Sequence, residues 1–244
     1  MEHLGTLASL RRYPVKSMAG EELAEARVTY AGLVGDRVYA YIDNNNNTDF
    51  PWMSARQAHD FILFRPKFLA PPIAADELFA ATDYTTKVQT PEGESFTMGD
   101  PGFTAFLEKR WGRSLRLRFS ERSMTDARPV SILGFNTVQA LADECGVKIN
   151  PVQFRMNFYV QWDDKTPFYE DSLLGREMQI GEKVVVQVVK RDGRCIMITL
   201  DPDTAEPSPK VLETVYHKHE GCVGVYGAVL REGIVRVGDA IHAI

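Results

Sequence analysis

The sequence predicts a mainly β fold with a few helices, a β-barrel-rich α+β architecture. Three observations carry that expectation. Short segments alternate apolar and polar residues with period two, turn residues punctuate them, and helical periodicity is confined to three stretches. The 244 residues are 44% hydrophobic, 25% charged and 10% aromatic, with 18 Gly and 13 Pro. These proportions exclude disordered, collagen-like and coiled-coil readings. A chain of this length buries roughly 70–75% of its unfolded surface and supports a core without staples.

Residues 4–12 form the first expected strand, broken at Tyr13-Pro14. Residues 24–30 place Ala24, Ala26, Val28 and Tyr30 on one face and Glu25, Arg27 and Thr29 on the other. Gly32 and Gly35 bracket a turn, and Arg37 to Asp43 alternates again with Val38, Ala40 and Ile42 inward. Asn44 to Asn47 is a solvated loop. Thr85–Thr90 and Ser95–Met98, joined by Pro91-Glu92-Gly93-Glu94, read as a hairpin. Helices are expected over Pro101–Trp111, Asn136–Glu144 and Pro209–Lys218. Gly112 closes the first; Phe135, Val138, Leu141 and Cys145 stripe the second, with Gly146 after it. Further strands are expected at 152–161, 177–180, 183–190, 195–200, 222–230 and 233–243. The polar run Glu121 to Asp126 marks a division into domains 1–122 and 123–244.

The 33 acidic and 28 basic residues leave a net charge of −5, which argues against a nucleic-acid polymer or an anionic membrane as partner. Any anion must be held by a local cluster. No apolar run approaches the ~18–20 residues of a membrane span, and the opening has no secretory signal. Three cysteines without a CxxC pair are expected as free thiols in a cytoplasmic protein.

Specific groups must carry the chemistry. Lys190-Arg191-Asp192-Gly193-Arg194 precedes Cys195 and favours its thiolate, the form that binds a soft metal or attacks carbon. A buried cysteine at a strand start is the plainer reading. Strand alternation would put Arg155 and Asn157 on one face, opposite Phe154, Met156 and Phe158, an arrangement suited to a ligand with phosphate and amide-like edges. Lys16-Ser17 and Arg37 follow turns. Arg128-Pro129-Val130-Ser131 adds a hydroxyl near the second helix, whose free N–H groups can receive an anion. Trp52, Trp111 and Trp162 are expected to pack, Trp162 being the one candidate among them for a pocket mouth, and His217-x-His219 reads as a solvated helix end. No P-loop, dinucleotide fingerprint or GxSxG elbow occurs.

Arg128-Pro-Val-Ser131, Phe154-Arg155-Met-Asn157, Leu174-Gly175-Arg176, Arg194-Cys195, Asp201-Pro-Asp-Thr204, Gly224-Val-Tyr226 and Val237-Gly238-Asp239 occur in order. Together they resemble the MOSC domain, named for the molybdenum-cofactor sulfurase C-terminus. Tyr13-Pro-Val-Lys-Ser17 and Gly32-Leu-Val-Gly-Asp-Arg37 resemble the N-terminal β-barrel found with it in amidoxime-reducing proteins. The resemblance implies an N-terminal MOSC β-barrel packed on a MOSC β-barrel. It also implies a molybdenum-cofactor oxidoreductase that reduces N-oxygenated (N-hydroxylated) small molecules with electrons from a separate flavin or iron–sulfur donor.

By the same resemblance, Cys195 is a ligand to molybdenum in a Mo-pyranopterin, held by Lys16, Ser17, Arg37, Ser131, Arg155, Asn157 and Arg194. Asp203 is implied in catalysis, orienting Arg194 or binding the substrate N–OH, while the Asp201-Pro202 start reads equally well as a simple turn. Thiolate suits the metal, and Arg and Lys suit the pterin phosphate. A family-level link to pyridoxal phosphate binding also comes with the resemblance, although no sulfurase domain is expected before Met1 and no iron–sulfur module after Ile244. The alternative is a carrier of the cofactor, or of sulfur as a Cys195 persulfide, without turnover. A cysteine-dependent hydrolase or transferase ranks below both, since no histidine lies in a matching motif.

Overall fold

The computed structural model describes residues 2–70 and 84–244. In chain order the first half contributes β1 (His3–Arg12), β2 (Glu21–Leu23), β3 (Glu25–Thr29), β4 (Gly32–Leu33), β5 (Tyr39–Asp43), β6 (Arg65–Phe68), β7 (Thr86–Gln89), β8 (Ser95–Thr97), α1 (Pro101–Trp111) and β9 (Leu115–Phe119). The second half adds β10 (Val130–Gly134), α2 (Phe135–Cys145), β11 (Phe158–Trp162), β12 (Glu177–Ile180), β13 (Val184–Gly193), α3 (Pro209–His219), β14 (Cys222–Arg231), β15 (Gly233–Arg236) and β16 (Ala240–Ala243). The chain is mainly β, as its periodicity predicts.

Seven strands close into a barrel in the order β11-β10-β14-β13-β12-β16-β1, with β1 pairing back onto β11 and β2 extending from β1. Closure leaves the ring without a free edge. Leu7, Leu10, Ile132, Phe158, Val160, Trp162, Val186 and Ile241 fill its core. Because β1 comes from the start of the chain and β15 pairs with β3, the ladders cross the expected division at 122/123. A second, aromatic core gathers Tyr41, Phe61, Phe64, Phe68 and Phe103 under the β5–β9 pair, the β6-β7-β8 sheet and α1. A third packs α2 and α3 on the barrel wall through Leu133, Val138, Leu141, Cys145, Val211 and Val215.

The hairpin at 85–98 and the three helices form where expected. Several strands differ. The segment expected as a strand at 152–161 begins as a 3-10 turn, Pro151–Phe154, and β11 starts only at Phe158. Asn150 and Gln153 form a capping box there: Asn150 Oδ1 accepts from the Val152 amide and Gln153 Oε1 from the Asn150 amide, each at 3.1 Å. That local bonding outcompetes the alternating pattern. The expected strand at 195–200 is likewise a 3-10 turn, Ile196–Thr199, with Cys195 at its start. All five β5 residues are buried, so Tyr39 and Tyr41 are inward as well as Ala40 and Ile42. The expected strand at 233–243 breaks at Gly238, whose φ of 95° leaves the strand region.

Candidate functional site

A cleft opens at one end of the barrel, between β10, the β13 end, β14 and the loops of the first half. It is lined by Lys16, Ser17, Arg37, Ser131, Arg155, Asn157, Arg194 and Cys195, residues spread over 180 positions of sequence. Six cationic side chains, Lys16, Arg37, Arg56, Arg128, Arg155 and Arg194, stand against two lining carboxylates, Asp126 and Asp192. This is the local cluster that an acidic protein needs to hold an anion.

Backbone geometry aims these groups. Among the described residues, six non-glycine residues have positive φ, and three of them are Ser17 (68°), Arg37 (50°) and Arg155 (57°). Left-handed conformations cost a side-chain-bearing residue stability, so their concentration here is a local strain held by the surroundings. Asp36 is the principal support. It is fully buried, accepts the Tyr13 amide at 2.8 Å, pairs with the Arg37 guanidinium and receives the Ser123 hydroxyl at 3.4 Å. Arg37 then donates to the Arg155 carbonyl at 2.9 Å. The Tyr13 ring lies 4.8 Å from the Arg37 guanidinium and 4.4 Å from that of Arg155, so one aromatic serves both cations.

Charge states follow from burial and neighbours. Burial pulls the Lys16 ammonium below its usual value, against Asp126 at 2.5 Å, while Arg37 and Arg155 lower it further. Burial lowers the Arg155 guanidinium to about 10; Tyr13 opposes this and Arg37 adds to it. For Arg37 burial acts in the same direction, but Asp36, Tyr13 and Tyr226 together outweigh it and hold the group above its usual value. Burial raises Asp192 despite Arg194, and raises the Tyr226 phenol, which shares a hydrogen bond with Asp192.

Ser131 and Asn157 lock β10 to the chain before β11. Ser131 Oγ donates to Asn157 Oδ1 at 3.1 Å and accepts the Asn157 amide at 3.1 Å, while Asn157 Nδ2 donates to the Arg11 carbonyl at 3.3 Å. Arg194 is clamped by Asp192 and by the Phe154 carbonyl at 2.6 Å. Cys195 follows, half-buried with a free thiol, in extended backbone before its 3-10 turn.

Several expectations change. Arg194 is oriented by Asp192, not by Asp203, because Asp192 sits two residues upstream on the same strand end. Asp203 lies outside the cleft, in a turn built on Asp201 Oδ1, and pairs with Arg65 at 3.4 Å. At the N-terminus of α2 a carboxylate of the chain itself is already in place: buried Glu170 accepts the Gly134 amide at 3.3 Å, Thr137 Oγ1 at 3.0 Å and the Trp162 indole at 3.2 Å. Trp162 is therefore core and not a pocket mouth. His219 contacts Glu144 at 2.7 Å and stacks on Phe168, which ties down the helix end expected to be solvated.

Periodicity is silent on Asp36, Asp126, Asp192, Arg56 and Tyr226. For Asp192 a signal was available in the Asp-Gly-Arg-Cys spacing, which lets a carboxylate reach back to the arginine two positions on.

The fold and cleft define a closed-barrel protein with a cationic, thiol-bearing cleft. The family model described as the MOSC domain matches residues 120–242, and that of the MOSC N-terminal beta barrel domain matches residues 4–98. The chain belongs to the MOSC domain family. Among curated proteins, mitochondrial amidoxime reducing component 2 of Homo sapiens is 25% identical, over 99% of this chain and 84% of that protein. Mitochondrial amidoxime-reducing component 1 of Homo sapiens is 24% identical, over 100% and 84%. The crystal structure of the YuaD protein from Bacillus subtilis shares the fold with a TM-score of 0.52 at 16% identity, over 98% of this chain and 94% of that one.

Proposed function

We propose that the cleft binds a molybdenum cofactor and that the protein is an oxidoreductase reducing N-oxygenated small molecules. The observation that carries the reading is the meeting of a half-buried thiol with six cationic side chains in one cleft of an acidic protein. Likeness to proteins named amidoxime-reducing supports the substrate class.

The residues present fit such a group. Arg155 Nη2 and Arg194 Nε are buried without hydrogen-bond partners, two donors left open in the site. Lys16, Arg37, Arg155 and Arg194 neutralise a phosphate and a dithiolene, and Arg offers the fork geometry that phosphate oxygens accept. Among the described residues no group of three or more His, Cys, Asp or Glu is placed to hold a metal ion, so one protein thiolate from Cys195 supplements ligands brought by the cofactor itself. When bound, a Mo-pyranopterin supplies the electron-transfer and oxygen-accepting chemistry.

The chain's share is binding, orientation and proton holding. Asp192 fixes Arg194 and so the segment carrying Cys195. Tyr226, kept protonated by burial and by Asp192, holds a proton at its phenolic oxygen on the cleft wall. Ser131 and Asn157 set the floor through their mutual hydrogen bonds, and Ser17 presents its hydroxyl from a left-handed turn. Electrons come from a separate flavin or iron–sulfur protein. Residues on both sides of the 122/123 division contribute to one site, and the free thiols favour the cytoplasm. No helix among the described residues is long and apolar enough to cross a membrane.

Reduction of benzamidoxime with an artificial one-electron donor tests the reading. Wild type turns over and Cys195→Ser does not. Full activity in the variant would overturn the ligand role of Cys195, and bound cofactor without any turnover would make the chain a carrier.

A further inference from the structure

We infer that a second hollow beside the cleft is a subsite for a carboxylate at the far end of the substrate, so that the protein favours N-oxygenated molecules bearing an acid group. This rests on the function proposed above. The hollow shares Arg155 and Met197 with the cleft, and Met197 lies two residues after Cys195. A molecule whose reacting end is near Cys195 therefore has this space for its other end.

The chemistry of the walls selects the ligand. Ile62, Val152 and Leu200 give an apolar surface for a planar or aliphatic body. Both atoms of the Gln153 amide and the oxygen of the Asn150 amide are already used. Gln153 Nε2 donates to the Ile198 carbonyl at 2.5 Å and its Oε1 accepts the Asn150 amide, while Asn150 Oδ1 accepts the Val152 amide. What remains is the Asn150 Nδ2 donor and three guanidinium groups, Arg11, Arg65 and the Arg155 shared with the cofactor cleft, against one carboxylate, Asp203.

None of the three is strongly paired. Arg155 Nη2 and Arg11 Nε are buried without a hydrogen-bond partner. Arg11 reaches only the exposed Glu22, at 3.5 Å. The side chains of Arg65 and Asp203 are 59% and 70% exposed and stand 3.4 Å apart, a solvated pair that is weakly held. A carboxylate with its two oxygens matches a guanidinium fork better than a hydroxyl or an amide does. It enters by displacing Asp203 from Arg65. Asp203 thereby becomes a specificity-determining residue, a competitor for the same guanidinium.

Calorimetric titration of the cofactor-loaded protein with benzamidoxime and with its para-carboxy analogue tests the subsite. In the wild type the carboxylated probe binds about 1.5-fold to fivefold more tightly, the range of a single partly exposed charge pair. Arg65→Glu brings the ratio to one or below. Asp203→Asn raises it, and Arg236→Glu, the same charge change outside both spaces, leaves it as in the wild type. Equal affinities in the wild type, or a ratio that survives Arg65→Glu, would overturn the inference. Turnover of each probe separates the two ideas: a preference in binding without reduction refutes the reductase and keeps the subsite, and reduction without preference does the reverse.

Discussion

Replacing Asp36 by Ala removes the support on which two segments of the cleft rest. The carboxylate is fully buried, accepts the Tyr13 amide at 2.8 Å and pairs with Arg37, whose side chain is 14% exposed. Orphaning the amide costs about 1–3 kcal/mol. Leaving the guanidinium without its buried partner costs about 3–5 kcal/mol. The two losses share one site and do not add, so about 4 kcal/mol is expected. For a protein of this size, about 2–4 °C accompanies each kcal/mol, which places the Tm about 8–16 °C below wild type. Asp36→Asn keeps an acceptor for Tyr13 without the charge and recovers part of the loss. Asp203→Ala, which removes an exposed and long ion pair, stays within about 1 kcal/mol. Urea and thermal unfolding followed by circular dichroism measure all three. An Asp36→Ala protein within about 1 kcal/mol of wild type, or one no weaker than Asp203→Ala, would refute the hub role of Asp36.

Lys16 sets an alkaline limit on anion binding. Its folded pKa lies below the ordinary lysine value, chiefly through burial, so the protonated form is disfavoured on folding. Raising the pH through that depressed value relieves the penalty and removes a positive charge from the cleft. Inorganic phosphate binding therefore weakens at a pH below the usual lysine range, and Lys16→Arg moves the loss upward; identical profiles would contradict this. Glu170→Ala orphans the Gly134 amide, Thr137 Oγ1 and the Trp162 indole together, with an expected loss of about 3 kcal/mol in urea unfolding. A neutral result would mean that water replaces the carboxylate. Gly32 has φ 110°, and a Cβ there would stand 2.5 Å from the Pro129 carbonyl oxygen. Gly32→Ala is expected to cost at least about 2 kcal/mol, from strain and a forced separation of the two motifs, and an unchanged Tm would contradict that.

Local physics explains which parts of this structure are legible in the sequence. Turn chemistry and helix ends are encoded within a few residues, so the hairpin closing at Pro91 to Glu94 and the helices ending at Gly112 and Gly146 appear where expected. Strand alternation is legible only where one face is wet. It fails in β5, which is covered on both sides, and before β11, where Asn150 and Gln153 offer the backbone a better local bond. The closing of β1 onto β11 and β16 has no local signature, since it joins residues 148 or more positions apart. Motif order brings eight of the site residues together, because each motif carries its own charged or hydroxyl group. The residues that position them, Asp36 and Asp192, are hidden from pattern reading because their role is to be buried beside a cation. Asp203 stands outside the cleft in the turn that Asp201 builds, a turn the Asp-Pro pair already signals, although where it carries Asp203 is visible only once the backbone is placed.

Molybdenum and released pterin per chain, measured by elemental and fluorescence analysis, bear most directly on whether Cys195 and the cationic cleft hold this cofactor. Wild type and Cys195→Ser are prepared from a molybdenum-replete host shown to load a control molybdoenzyme. Near-stoichiometric metal and pterin in the wild type, with metal falling in a variant that keeps its fold, is the predicted result. Neither metal nor pterin in the wild type, or metal unchanged in Cys195→Ser, would contradict it.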